Sequence, residues 1–448
     1  MHTEIPKRFA GMAPRYTSYP TAPHFHSGVD EAVHVRWLSE LAPDISLSLY
    51  VHIPYCDRLC WFCGCATKQT NRYDPVRKYL EFIKREIAFT AAKIDGGARV
   101  TRLHFGGGSP TMLTPEDLID LTRHLRSHFN FESDAEICVE IDPTDMTPDK
   151  CDAMAEIGLT RASLGVQDFD PEIQKTINRI QTFEETAEVV FALRARGVNS
   201  LNLDLLYGLP LQTLETVQRS VELAISLVPD RLALFGYAHV PWIRKHQTMI
   251  DENLLPGQEQ RLDQASLASR LLQDAGYQAI GIDHFARPDD TLAVAAREGG
   301  LKRNFQGYTN DEATALLGLG ASSISQLPQG YAQNSPATAD YMRRVDQTGL
   351  ATVRGFELSA DDRARSWVIE RLMCDFGFEE AALKARFGAL SLPIFRQAAE
   401  LAASEGTIFR YEEGFYQITS EGRPFTRMIA TQFDSYFGKG PARHSVAV

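Results

Sequence analysis

Between residues 46 and 237, short apolar runs alternate with longer amphipathic runs, and this alternation limits the possible folds more than any other feature of the sequence. Each short run predicts a strand and each longer run predicts a helix. Six strand–helix units in a row indicate a parallel sheet with helical crossovers, because parallel neighbours need long connections. The predicted strands are 46–53, 100–105, 135–141, 161–167, 200–206 and 231–237, and the helices are 75–93, 115–128, one from 148, 184–196 and 213–227.

The fold class predicted from this pattern is α/β, with a partial, TIM-like (β/α)6 barrel, since a closed barrel of this type has eight units. We expect three domains: an N-terminal arm over 1–45, the barrel with an extension over 46–350, and a mainly α-helical C-terminal domain over 351–448. The arm is rich in Pro, His and aromatic residues. The C-terminal domain includes a predicted strand pair across 407–419, with Gly414 at its turn.

Four of the seven cysteines lie within ten residues of each other, in the loop after the first predicted strand. An iron–sulfur cube needs thiolates on several irons at once, so a short loop must present successive sulfur atoms on one side. Three cysteines can hold three irons, and the fourth iron is then free to bind a ligand that reacts. The spacing Cys-x3-Cys-x2-Cys-x-Cys, formed by Cys56, Cys60, Cys63 and Cys65, therefore favours such a cluster.

Two other uses of these cysteines fit the sequence less well. Structural zinc normally takes four ligands, often from two separated Cys-x2-Cys pairs, and no second pair follows. A disulfide framework requires an oxidising compartment, to which nothing in the sequence points. The remaining cysteines, Cys138, Cys151 and Cys374, are scattered singly at positions typical of strand or helix interiors.

The overall composition narrows the possible partners. A formal net charge of −12 argues against nonspecific nucleic-acid binding, which usually needs a basic surface. The tail resembles a winged helix in the order of its elements, but the same acidic balance disfavours DNA binding. The N-terminus has no apolar run typical of a signal peptide, and no apolar segment is long enough to span a bilayer. We therefore expect a protein of the reducing cytoplasm, without membrane or nucleic-acid partners.

Polar residues recur on one face of three predicted strands. Because side chains alternate along a strand, Glu140, Gln167 and Asp204 lie on the face opposite the aliphatic residues of their own strands. Parallel barrels have their active sites at the carboxyl ends of the strands. For any single strand, the alternative is that the polar side chain is hydrogen-bonded within the protein and binds no ligand. Their repetition over three strands favours a polar ligand in the barrel mouth.

The cysteine spacing, with Phe62 before Cys63, resembles the signature of the radical SAM enzymes. The added Cys65, the preceding run Tyr50–Pro54 and the run Arg15–Thr21 extend this resemblance to the oxygen-independent coproporphyrinogen III oxidases (dehydrogenases), over nearly the whole chain. The resemblance implies the open barrel. It also implies a 4Fe–4S cluster held by Cys56, Cys60 and Cys63, whose open iron binds S-adenosylmethionine and cleaves it to a 5′-deoxyadenosyl radical.

The same resemblance assigns roles to other residues. Tyr50 and Glu140 would contact the first S-adenosylmethionine, and Gly107, Gly108 and Ser109 would support its amino-acid end. A second S-adenosylmethionine beside it would meet Gln167, Arg179 and Asp204, with further contacts to cofactor from Ala238 and Ile324. Arg179 by itself is equally consistent with a solvated loop arginine. Tyr50 and Cys65 are the candidates for the reaction itself.

The implied reaction converts two propionates of coproporphyrinogen III to vinyl groups and gives protoporphyrinogen IX. The implied partners are this substrate and an electron donor such as flavodoxin or ferredoxin, and we expect a monomer. The four propionates call for cationic side chains that can bind a carboxylate bidentately. The candidates are Arg15, Arg244, Lys245, Arg287 and Arg303. A haem chaperone of the same superfamily is the alternative function, although such relatives generally lack the fourth cysteine and the 16–21 arm.

Overall fold

A computed structural model describes residues 11–94 and 96–439. The helices are α1 Glu31–Ser39, α2 Asp74–Ala91, α3 Pro115–His128, α4 Pro148–Glu156, α5 Pro171–Thr176, α6 Phe183–Ala195, α7 Leu214–Ser226, α8 Gln258–Asp274, α9 Thr291–Glu298, α10 Thr338–Thr348, α11 Ala360–Asp375, α12 Glu380–Phe387, α13 Ser391–Ser404 and α14 Thr426–Ala430. None of these helices has the length and apolar character needed to cross a bilayer.

The strands are β1 Ser46–Ile53, β2 Tyr55–Cys56, β3 Lys68–Gln69, β4 Arg99–Gly107, β5 Asn130–Ile141, β6 Arg161–Gln167, β7 Ser200–Tyr207, β8 Arg231–Gly236, β9 Gln278–Ile280, β10 His284–Ala286, β11 Lys302–Asn304, β12 Gly307–Thr309, β13 Ala315–Leu319, β14 Ile324–Leu327, β15 Gly330–Asn334, β16 Thr352–Glu357, β17 Gly377–Glu379, β18 Phe409–Glu412 and β19 Phe415–Ile418. All six predicted barrel strands are present, most with slightly different ends.

The central sheet is built on six neighbouring parallel strands in the order β1-β4-β5-β6-β7-β8. Helical crossovers connect them, as the alternation of the sequence predicts. On β6 and β7 every second side chain is buried, and these are the aliphatic residues predicted to face the helices. The α/β class and the parallel core are thus confirmed.

The sheet is larger than the six predicted units and does not close into a barrel among the described residues. β13 adds to the free edge of β1 in parallel, and β14, β15 and β16 continue antiparallel from it. At the other edge β10 and β9 add antiparallel to β8. The result is one open sheet of twelve strands. The added strands have three to six residues each, too short to show a clear period in the sequence.

Helix N-termini are fixed by side-chain caps where the sequence predicts a helix start. Thr114 accepts a hydrogen bond from the N–H of Asp117 and begins α3 at Pro115, where the predicted helix 115–128 also begins. Thr182 and Glu185 form a reciprocal capping box at α6. These caps set where α3 and α6 begin behind the sheet.

The C-terminal part packs α11 to α14 around a second apolar core. Its hairpin β18–β19 turns at Gly414, which has a φ of +89° that favours glycine, so the predicted turn is confirmed. A third strand, β17, pairs with β19 and was not predicted. Ala13, Tyr16 and Tyr19 of the N-terminal segment are buried in this same core. The N-terminal segment therefore packs against the C-terminal part of the structure.

Candidate active site

The carboxyl ends of β4, β5 and β6 surround a cavity of about 190 Å³. The register places Glu140 opposite Ser163, and Gly165 opposite Asp204, so polar side chains from neighbouring strands meet there. The cysteine loop covers the cavity from above. The predicted site residues that line it are Cys56, Cys60, Phe62, Cys63, Cys65, Gly107, Gly108, Ser109, Glu140, Gln167, Arg179 and Asp204.

The cysteine loop is closed at its base by the pairing of β2 with β3, which sets Cys56 beside Gln69. Within the loop the N–H of Cys63 donates to the carbonyl of Cys60 over 3.2 Å, so the chain curls between these two cysteines. The N–H of Cys65 donates to Cys63 Sγ over 3.3 Å. The short paired base and the internal turn bring all four sulfur-bearing residues to one cavity.

The three cysteines of the predicted triad differ in acidity. Burial raises the pKa of Cys56 to about 12. Burial also raises the pKa of Cys60, against the lowering effect of Arg179, whose Nη1 lies 3.6 Å from Cys60 Sγ. Hydrogen bonds from the thiol and N–H of Cys65 lower the pKa of Cys63 to about 7. A cavity lined by three thiols, with N–H and guanidinium donors to the sulfurs, has the donor set that holds an iron–sulfur cluster.

Glu140 of β5 is held against the end of β4, where the glycine run begins. Its Oε2 accepts a hydrogen bond from the N–H of Gly107 over 3.1 Å, and its Oε1 lies 3.1 Å from His104 Nε2. A Cβ on Gly106 would lie 2.7 Å from Glu140 Oε1, and one on Gly108 would lie 2.6 Å from the carbonyl of Tyr55. The glycines therefore make room for a carboxylate and for the base of the cysteine loop.

Ser109 lines the cavity, but its hydroxyl is engaged within the protein. It donates to Asp145 Oδ2 over 2.9 Å and lies 2.7 Å from Thr111 Oγ1. Burial and the nearby Asp142 raise the pKa of Asp145. The hydroxyl thus anchors the end of the glycine run to Asp145.

Arg179 is buried, so the alternative of a solvated loop arginine does not describe it. Its Nη1 donates to Asp142 Oδ2 over 3.0 Å and its Nη2 to the carbonyl of Gly165 over 2.6 Å. Arg58 also reaches Asp142, at 3.2 Å. Arg58 and Asp142 line the cavity and were not predicted as site residues, although Asp142 follows directly on the strand that carries Glu140.

Gln167 and Asp204 complete the wall on the side of β6 and β7. Gln167 has a φ of +69°, a left-handed conformation that is uncommon for a residue with a side chain. Asp204 accepts hydrogen bonds from Asn202 over 2.8 Å and Ser163 over 3.1 Å. Burial raises the pKa of Asp204, which favours its protonated form more than in water.

A second cavity of about 390 Å³ adjoins the first and shares Cys65, Gly107 and Glu140 with it. Tyr50 and Ile324 line this second cavity and not the first. Phe305 and Gln306, at the turn between β11 and β12, also line it and were not predicted. The only signal for them in the sequence is the motif-like run 303–308.

Ala238 lines neither cavity. Its carbonyl accepts a hydrogen bond from Gln247 Nε2 over 3.2 Å, and the same amide donates to the carbonyl of Phe62 over 2.8 Å. Next to it, His246 Nε2 lies 2.7 Å from the carbonyl of Cys63, and Arg244 Nε donates to that of Gly64 over 2.8 Å. Side chains of the segment 244–247 thus bind three successive carbonyls of the cysteine loop, which the sequence did not indicate.

The five basic residues proposed to bind propionates are dispersed. Arg244 binds the cysteine loop, and Lys245 begins the short 3₁₀ helix Lys245–Met249 beside it. The N–H of Arg287 donates to the carbonyl of Asp230, at the opposite end of the sheet from the cavity. Arg15 and Arg303 lie together near the end of β8.

Known proteins resemble the chain over nearly its whole length. It is 46% identical over 437 residues to an oxygen-independent coproporphyrinogen III oxidase of Bradyrhizobium diazoefficiens, covering 97% of each chain. It is 47% identical over 442 residues to the protein of that name from Paracoccus denitrificans, covering 98% of this chain and 97% of the relative. This chain belongs to the oxygen-independent coproporphyrinogen III oxidase family.

Members of this family are radical SAM enzymes, and the family model of the Radical SAM superfamily matches residues 50–224. A solved structure of coproporphyrinogen III oxidase from Escherichia coli, described as a radical SAM enzyme, superposes with a TM-score of 0.90 at 40% identity. The match covers 94% of this chain and 97% of that one. The oxygen-independent coproporphyrinogen III oxidase family comprises oxidoreductases, and radical SAM chemistry implies a 4Fe–4S cluster and S-adenosylmethionine as the cofactors.

Proposed function

We propose that this chain converts two propionate side chains of coproporphyrinogen III to vinyl groups without oxygen, giving protoporphyrinogen IX in haem biosynthesis. Each conversion removes one hydrogen atom from the propionate β-carbon and releases carbon dioxide and one electron. The observation that carries this proposal is the single cavity in which the cysteine triad, the glycine run and Glu140 meet at the carboxyl ends of the strands. The names of relatives 41–47% identical support the substrate.

Cys56, Cys60 and Cys63 are the residues that would hold the 4Fe–4S cluster, since their thiols line the cavity and nearby N–H and guanidinium groups stabilise thiolate charge. When bound, the cluster and S-adenosylmethionine supply the radical that removes hydrogen from carbon. Gly107, Gly108, Ser109 and Glu140 form the adjoining wall for the first S-adenosylmethionine. The chain itself contributes binding, orientation and exclusion of water.

We assign a second S-adenosylmethionine to the part of the cavity lined by Gln167, Arg179 and Asp204. Arg179, held in place by Asp142 and Gly165, offers a buried positive charge there. The second cavity, with Tyr50, Cys65 and Ile324 in its wall, is the place for the reacting end of the substrate, because it shares Glu140 and Gly107 with the cofactor cavity. Ala238 acts only through its backbone contact to Gln247.

Tyr50 offers a protonated hydroxyl for hydrogen bonding in this second cavity. Its hydroxyl lies 3.1 Å from His52 Nδ1, and burial raises its pKa well above the ordinary value, so the phenol keeps its proton. Cys65 lies at the boundary of the two cavities, exposed and within reach of Cys63 through its own N–H. A monomer acting in the cytoplasm, with a flavodoxin or ferredoxin as electron donor, completes the proposal.

The direct test is anaerobic assay of purified, reconstituted protein with coproporphyrinogen III, S-adenosylmethionine and a strong reductant. We expect protoporphyrinogen IX together with deoxyadenosine. Stable haem binding without any decarboxylation would instead support a haem chaperone, a function that none of the relatives' names favours.

A further inference from the structure

A group of arginines surrounds one buried carboxylate beside the end of β8. Asp283 Oδ2 accepts a hydrogen bond from Arg427 Nη2 over 3.3 Å, and its Oδ1 lies 3.9 Å from Arg303 Nη1. Arg303 Nη2 donates to the carbonyl of Arg15 over 3.4 Å, and Arg15 Nη2 donates to that of Gly236 over 2.9 Å. We call Arg15, Arg303 and Arg427, with Asp283, the Asp283 arginine cluster.

The cluster has more positive than negative charge. Arg303 and Arg427 approach the carboxylate of Asp283, whose Oδ1 also lies 2.8 Å from His284 Nδ1, and the charge of Asp283 also acts on Arg15. The next carboxylate, Glu370, accepts from the backbone N–H of Arg303 and pairs with Arg371 at 3.4 Å. Burial, with the neighbouring Arg427 and Arg303, lowers the pKa of Arg15 to about 10, against the raising effect of Asp283. A buried excess of charge is costly unless an ion of opposite sign joins it.

Arg303 also has unused hydrogen-bonding capacity. Its side chain is only 4% exposed, and neither Nε nor Nη1 donates a hydrogen bond within the described residues. The guanidinium lies over the ring of Tyr308 at 4.4 Å, which holds its plane in one orientation. A fixed guanidinium with free N–H groups matches the two oxygens of a carboxylate.

Arg303 connects the cluster to two cavities, whereas Asp283 and Arg427 line a third one. Arg303 lines a cavity of about 400 Å³ together with Tyr16–Tyr19 of the N-terminal segment, and Glu370 is the only acidic residue among its described lining. Arg303 also belongs to the β11–β12 hairpin, whose turn residues Phe305 and Gln306 line the second cavity of the active site. Arg303 therefore lies only two residues before Phe305, which is part of the wall of the second cavity.

We propose that Arg303, with Arg15 and Arg427 beside it, forms a carboxylate site that holds a propionate of the substrate that is not decarboxylated. This inference rests on the proposed function. The substrate has four propionates and loses two, so the two that remain are available for binding during both conversions. A site that uses a retained propionate can hold the macrocycle while each reacting side chain is positioned in turn. Arg15 belongs to the N-terminal segment and Arg427 to α14, so both parts of the chain would then contribute to substrate binding.

The test uses coproporphyrin III, the oxidised and unreactive tetracarboxylate, and its tetramethyl ester as probes of the anaerobically purified holoenzyme. We expect Arg303→Gln to weaken binding of the acid about tenfold or more, with little change for the ester. Arg303→Lys should lie in between, because it keeps the charge and loses the paired N–H groups. Arg287→Gln is the matched control, since Arg287 is an exposed arginine at the far end of the sheet.

KM for coproporphyrinogen III should rise in Arg303→Gln while iron content and the KM for S-adenosylmethionine stay unchanged. Unchanged affinity for the acid, an equal loss for acid and ester, or a rise confined to the KM for S-adenosylmethionine would each overturn the inference. If Arg303→Gln does not fold, Arg15→Gln provides the same comparison. Failure of the proposed function would appear separately, as wild-type protein that makes no protoporphyrinogen IX.

Discussion

The side-chain amide of Gln247 donates to the carbonyl of Phe62 over 2.8 Å and joins the cysteine loop to the segment after β8. Gln247 is fully buried, so its replacement would leave buried backbone groups without partners. We expect Gln247→Leu to reduce bound iron well below wild type and to lower the free energy of unfolding by about 1–3 kcal/mol. Iron analysis and denaturant unfolding under argon measure both effects.

The control for this variant is Gln218→Leu, since Gln218 is an exposed glutamine that donates only to Glu222 of its own helix. We expect it to keep full iron content. Equal iron in both variants would contradict the role given to Gln247.

Gly108→Ala tests the close packing of the glycine run against the cysteine loop. A Cβ at Gly108 would lie 2.5 Å from Thr67 Oγ1 and 2.6 Å from the carbonyl of Tyr55, and the backbone atom cannot move aside easily. We expect reduced iron binding and a lower melting temperature. Gly64→Ala is the control within the same loop, because nothing lies within 4 Å of a Cβ there. If both variants bind iron like wild type, the packing argument is wrong.

Arg179→Met tests the buried ion pair with Asp142. The change leaves Asp142 with Arg58 as its only cationic partner, so we expect a loss of about 1–3 kcal/mol in the free energy of unfolding. We also expect weaker binding of S-adenosylmethionine, measured by equilibrium dialysis. The exposed pair of Arg77 and Asp74 supplies the control, and Arg77→Met should change stability by less than about 1 kcal/mol. A similarly small change in the stability of Arg179→Met would show that the ion pair of Arg179 and Asp142 does not stabilise the fold as described.

The buried carboxyl of Glu86 predicts a pH dependence of the protein's stability. Burial raises its pKa from 4.5 to about 7, while Tyr341, Asn334 and the N–H of Gly320 donate to its oxygens. The folded state therefore holds its proton over a range in which the unfolded state has lost it. This contribution is fully present below pH 4.5 and is lost as the pH rises through 7, by roughly 3 kcal/mol in all.

Glu86→Gln should remove most of this dependence, because a neutral amide has the same shape and does not titrate. Denaturant unfolding at pH 5 and pH 8 measures the difference. Glu81→Gln, at an exposed position on the same helix, should leave the difference between the two pH values as in wild type. A pH difference that persists unchanged in Glu86→Gln would show that Glu86 does not titrate as described.

The alternation of apolar and polar residues predicted the six parallel strands and the residues that face the cavity from three of them. The alternation along β5, β6 and β7 placed Glu140, Gln167 and Asp204 on the face that the structure turns to the cavity. It could not predict that β13 pairs with β1, because that pairing joins residues more than 260 positions apart through a strand of five residues. Phe305 and Gln306 were missed for the same reason, since the hairpin that presents them is only three residues deep on each side.

The sequence also left the physical role of some residues open. The resemblance assigned Gly107 and Gly108 to S-adenosylmethionine, whereas the structure shows that the missing Cβ atoms of Gly106 and Gly108 make room for Glu140 and Tyr55. Arg179 could not be told from a solvated arginine, because its burial depends on Asp142 from another strand and on the carbonyl of Gly165. Such contacts join distant segments and have no local signature.

The central claim is that Cys56, Cys60 and Cys63, and not Cys65, hold the cluster. Iron and sulfide analysis of four single Cys→Ala variants, reconstituted without air, tests it most directly. We predict that the Cys56, Cys60 and Cys63 variants each lose most of the bound iron and sulfide. The Cys65→Ala variant should retain the wild-type amounts. Loss of iron from Cys65→Ala to the same extent, or full retention by any of the other three, would contradict the account.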